Sequence, residues 1–99
     1  MRTATIEVYS DASNAAVMRH PGRRFPGVLV QGDTLHTLWA RADDAFRAAR
    51  GVLNEDALSD LEDLRDHLRG LVEHYTSVLT EHGLTLPFHD GDATLRAPT

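Results

Sequence analysis

Apolar and polar residues alternate strictly from Thr3 to Tyr9: Ala4, Ile6 and Val8 point one way, and Thr3, Thr5, Glu7 and Tyr9 the other. A period of two describes a half-buried β-strand. The run Ser10-Asp11-Ala12-Ser13-Asn14 is turn chemistry, because these side chains bond their own backbone. Ala15 to His20 then predicts a second strand and Gly27 to Gln31 a third. Between them lie Pro21-Gly22 and Pro26-Gly27, each favouring a turn, since proline presets φ and glycine accepts positive φ. The first third therefore reads as a small antiparallel meander over residues 1–31.

The period changes at Asp33, which is placed to cap a helix over 33–50. Leu35, Leu38, Trp39, Ala42, Ala45, Phe46 and Ala49 recur at helical spacing up to Gly51. Asn54 caps a second helix over 54–82, with Glu55 and Asp56 favouring its positive end. Along it Ala57, Leu61, Leu64, Leu68, Leu71, Tyr75 and Val78 step by four and three, a heptad seam widened by Leu58, Val72 and Leu79. Gly83 closes this helix. Gly70 inside it costs roughly 1 kcal/mol relative to Ala and permits either a close approach or a bend. The short connection at Gly51 makes the pair an antiparallel hairpin. Leu84, Leu86 and Phe88 alternate and allow a short final strand. His89-Asp90-Gly91-Asp92 is a turn, and the remainder of 84–99 is a loose extension. The expected fold is α+β, a single domain in which a three-stranded meander packs on a two-helix hairpin.

Composition narrows the function. The 99 residues include no cysteine, which excludes a disulfide scaffold and a thiolate metal site. No apolar run resembles a signal peptide or a membrane span, so a cytoplasmic protein is expected. Residues 1–50 carry seven Arg against five acids, and residues 51–99 three Arg against ten acids. That acidic half repels a phosphate backbone and an anionic membrane surface alike, and attracts a basic protein. Every basic residue is Arg, which matches a GC-rich bacterial coding bias or, alternatively, selection for the planar bidentate contacts that Arg makes and Lys does not.

Chemistry-bearing patterns are sparse. Asp63 and His67 lie one helical turn apart, but two ligands do not hold a structural metal. His67 and His74 are about 10.5 Å apart along a helix axis. His82, His89, Asp90 and Asp92 have no recognised ligand spacing, and no metal or cofactor is expected. Gly32-Asp33-Thr34-Leu35 resembles the GDSL block of a lipase family, but Thr34 stands where the nucleophilic Ser is required. With no Gly-x-Ser-x-Gly elbow either, no catalytic residue is assigned.

Two surfaces remain. Residues 19–27, with Arg19, Arg23 and Arg24, suit a carboxylate or phosphate, a protein partner, or pairing with the acidic helix of the same chain. Asp56, Asp60, Asp63, Asp66 and Glu73 form an acidic helix face suited to a basic partner. The wide leucine seam also suits a homodimer.

The segments Asn14-Ala15-Ala16-Val17-Met18-Arg19 and Arg23-Arg24-Phe25-Pro26-Gly27, continuing through Gln31-Gly32-Asp33-Thr34-Leu35, resemble a family of small bacterial proteins of about 100 residues. That family is common in actinobacteria and has no established activity. The resemblance implies that Arg19, Arg23, Arg24, Gln31 and Asp33 form a surface for an anion or a partner. The expected function is a non-catalytic protein-binding module, an immunity or antitoxin-like inhibitor. The alternative is a small-anion-binding or enzyme accessory domain using the Arg-rich loop.

Overall fold

The computed structural model describes residues 1–89, so Asp90, Asp92 and the expected C-terminal turn lie outside the described residues. Three strands precede two helices in an α+β fold: β1 (Glu7–Ser10), β2 (Ala16–Arg19), β3 (Gly27–Leu29), α1 (Gly32–Ala49) and α2 (Glu55–Glu81). The chain divides into two compact units, Met1–Gln31 and the part from Gly32 onward.

The first unit is an antiparallel sheet in the order β1-β2-β3. Glu7 pairs with Arg19 and Val8 with Met18, and a register shift follows before Ser10 pairs with Val17. Of the two Pro-Gly steps, only Pro21-Gly22 is the β2–β3 turn. Gly22 has a φ of 82°, and the Arg23 amide donates to the His20 carbonyl at 3.1 Å, the type II arrangement. Gly27 instead opens β3, opposite Met18. β1 begins four residues later than the alternation predicts. Its ladder ends where β2 reaches His20 and then Pro21, which has no amide proton to donate. β3 likewise stops at Leu29, opposite Ala16, the first residue of β2.

The second unit is the helical hairpin. α1 starts at Gly32, one residue before the expected cap, and Asp33 accepts from the Thr34 amide at 2.8 Å inside the first turn. Gly51 at φ 83° reverses the chain, with the Val52 and Leu53 amides donating to the Ala49 carbonyl. Asn54 caps α2 as expected, its side chain accepting from the Ala57 amide at 2.8 Å. At the far end Gly83 adopts φ 68°, and the Leu84 amide donates to the Leu79 carbonyl at 2.9 Å, the closing bond of a Schellman motif.

Gly32 lies against the Tyr75 ring and Asp43 bonds Arg65. Moving forward along α1 moves backward along α2, so the helices run antiparallel. Trp39, Ala42 and Phe46 of α1 and Val72 of α2 are buried between them. Leu58, Leu61, Leu68, Tyr75 and Leu79 are half-buried.

The α2 seam therefore differs from the expected one by about one residue of rotation. Leu64 and Leu71, central in the sequence pattern, are 53% and 44% exposed, while Arg65 and Val72 face inward. The expected C-terminal strand is also absent: residues 84–89 form no strand, and Phe88 stacks on His36 at 4.3 Å and tilts toward Tyr75 at 6.1 Å. Aromatic contact with the hairpin replaces strand pairing there.

Gly70 lies within α2, exposed, and a Cβ at that position meets nothing within 4 Å. No packing within the described residues requires a glycine there. Gly70→Ala should stabilise the chain by up to about 1 kcal/mol, read as a higher urea midpoint with unchanged slope. An unchanged or lowered midpoint would show that the position needs glycine.

Candidate protein-docking surface

What α2 presents outward follows from what holds it in rotation. Asp43 of α1 is fully buried, and Arg65 of α2 is 8% exposed. Asp43 Oδ1 accepts from Arg65 Nη1 at 3.0 Å, and Oδ2 accepts from Arg47 Nε at 2.8 Å. Arg65 Nε donates to Asp66 at 2.7 Å, and its guanidinium carbon lies 4.5 Å from the centre of the Phe46 ring. Burial disfavours the Arg65 cation. The hydrogen bonds and charges of Asp43 and Asp66 outweigh that penalty and hold its pKa above the ordinary value. The sequence showed Asp43 and Arg47 one helical turn apart, but nothing in it marked Arg65 as the partner across the hairpin.

With Arg65 inward, the five acidic residues of the expected α2 face divide into two sets. Asp66 binds Arg65, and Glu73 accepts from Arg69 at 3.4 Å, so both are neutralised within the helix. Asp56, Asp60 and Asp63 follow the i, i+4, i+7 spacing of a single stripe and are exposed. None of the three has a cationic partner among the described residues. The expected five-residue face thus contracts to three residues in the first half of α2. Beside this stripe runs an apolar one containing Leu64 and Leu71.

The arginines of the first unit do not converge on one ligand. Arg19 pairs with Glu7 and donates to the Arg23 carbonyl at 3.2 Å, while the Arg24 guanidinium lies 5.2 Å from the centre of the Phe25 ring. Its contact with Glu7 holds the Arg19 pKa above the ordinary value. Arg23 and His20 edge an open groove of about 300 Å³ whose remaining lining is apolar, including Met18, Phe25 and Val28. Gln31 is exposed at the end of the first unit, and Asp33 is engaged in the first turn of α1. Among the described residues no three His, Asp or Glu side chains are grouped to hold a metal ion, and no helix is long and apolar enough to cross a membrane.

A family model covers residues 1–88, both units and nearly every described residue. The chain belongs to DUF6959, a family of unknown function. No curated protein and no solved structure matches it. The DUF6959 match extends well beyond the Arg-Phe-Pro-Gly and Gln-Gly-Asp-Thr-Leu blocks to the whole helical hairpin, and it brings no activity with it.

The rotation of α2 is testable through its anchor. Arg65→Met leaves a buried carboxylate with Arg47 alone and should destabilise the fold by about 3 kcal/mol. Combining it with Asp43→Leu removes the stranded charge and should recover most of that loss. Chemical denaturation of the single and double variants measures both. A double variant no more stable than Arg65→Met would refute the pairing.

Proposed function

We propose that this chain is a non-catalytic protein-binding module that docks the outer face of α2 on a basic protein. The observation that carries the reading is the exposed stripe of Asp56, Asp60 and Asp63, which has no cationic partner among the described residues. Three carboxylates spread over two turns of a rigid helix project a localised negative field. Such a field accelerates encounter with a positive surface and fixes orientation on arrival. The half-chain balance of three Arg against ten acids extends the same field.

An inhibitor of the immunity or antitoxin class, working in a bacterial cytoplasm, is the concrete form of this reading. Small acidic chains of that kind mask basic active sites, and this chain shares their size and charge. The anion-binding alternative draws on the groove edged by Arg23 and His20. It has weaker support: Arg19 is engaged with Glu7, Arg24 lies over Phe25, and the groove is open.

The test is recovery of the tagged chain from the cell that makes it, followed by native mass spectrometry. A stoichiometric basic polypeptide is expected. With that polypeptide purified, Asp56→Asn combined with Asp63→Asn should slow association on the order of tenfold at low salt and flatten its salt dependence, while far-UV circular dichroism keeps the helical signal. Association kinetics unaffected by the double variant would sink the acidic-docking mechanism.

A further inference from the structure

From the placement of Leu38, Leu64 and Leu71 we infer that the apolar flank of the hairpin is a self-association surface, on which a second copy packs with its α2 antiparallel to the first. This goes beyond the reading above and rests on the leucines beside the acidic stripe, with only Asp60 common to both.

The two flanks of the hairpin differ in chemistry. The ion pairs of Asp43, Arg47, Arg65 and Glu62 occupy one side of the α1–α2 seam. On α1, Leu38 and Ala45 lie about 100° round the helix from the buried Trp39, away from Asp43 and Arg47. On α2, Leu64 and Leu71 lie a similar angle round from the buried Val72, away from Arg69. In an antiparallel pair these positions share the second flank, Leu38 near the level of Leu71 and Ala45 near that of Leu64. Leu38, Leu64 and Leu71 are 43%, 53% and 44% exposed, and Ala45 is exposed beside them. One flank is ionic and satisfied. The other carries exposed apolar side chains from both helices.

The sequence of α2 selects the occupant. Ala57, Leu64, Leu71 and Val78 recur every seven residues along its outer flank, one position of a coiled-coil heptad, while Leu61, Leu68 and Tyr75 are half-buried in the hairpin. A two-fold axis passing between His67 and Leu68 sets Leu64 against Leu71 of the second copy, and Ala57 against Val78 of the second copy. Charge decides the direction. A parallel arrangement would bring Asp60 against its own counterpart, with like charges opposed. The antiparallel one brings Asp60 to the level of the exposed His74 of the second copy, a donor for each carboxylate.

The size also fits. Residues 57–78 span about 32 Å, and two helices side by side about 20 Å, a footprint of roughly 600 Å² on each copy. Both sides together reach the roughly 1,200 Å² at which specific interfaces begin. A core of Trp39, Ala42, Phe46 and Val72 becomes part of a four-helix arrangement of the usual bundle kind.

Sedimentation equilibrium of the full chain should give twice the 10.9 kDa chain mass at high concentration, with dissociation on dilution. Leu64→Glu with Leu71→Glu should weaken the dimer at least about tenfold while far-UV circular dichroism keeps its helical signal. The absence of native cysteine permits a register test. Leu64→Cys and Leu71→Cys proteins, mixed and oxidised, should form the mixed disulfide in preference to either homodisulfide, because only the mixed pair meets the distance requirement. A monomer at all concentrations, a dimer indifferent to both glutamates, or dominant homodisulfides would each overturn the inference. None of these outcomes bears on whether Asp56→Asn with Asp63→Asn slows capture of a basic protein, so the two proposals fail separately.

Discussion

A buried carboxylate governs the helical hairpin. Asp43 is fully buried, and a charge in that environment costs several kcal/mol unless it is paired and hydrogen-bonded. Arg47 supplies one partner from the next turn of α1, and Arg65 supplies the other from α2. The second bond is the consequential one because it crosses the hairpin. It fixes which face of α2 looks inward, and every other residue of that helix takes its place accordingly.

The rotation has a cost and a consequence. Turning Arg65 and Val72 inward moves Leu64 and Leu71 outward, each forfeiting about 1 kcal/mol of the burial available to a leucine. Stranding the Asp43 carboxylate would cost more than both together. The Phe46 ring lowers the cost further by lying 4.5 Å from the guanidinium, so the Arg65 stem and head both find partners in the interior. What results is a hairpin with an ionic flank and an apolar flank, bordered by carboxylates in the first half of α2.

Much of this was legible along the chain. Strand and helix periods, the Asn54 cap, the Gly51 reversal and the Gly83 stop are local signals, written by residues within a turn of each other. Their structural counterparts fall within one or two residues of the expected helix ends. The strands are shorter than their patterns because a strand lasts only as long as its neighbour can pair, and Pro21 and the start of β2 at Ala16 end the ladders. The acidic face was half legible. Asp66 and Glu73 belong to it by periodicity, but neighbouring arginines claim them.

The sequence by itself determined the α+β class, the order of the elements and the existence of a leucine-rich long helix, because each depends on spacing and on caps only a few residues long. Which stripe of that helix enters the core was decided by tertiary structure. Two candidate seams one residue apart, one through Leu64 and Leu71 and the other through Arg65 and Val72, have nearly equal apolar content. Only the position of Asp43, 22 residues away from Arg65 and brought opposite it by the hairpin, distinguishes them. A long-range charge pair carries no periodicity, and so the most consequential contact in the hairpin left no local mark.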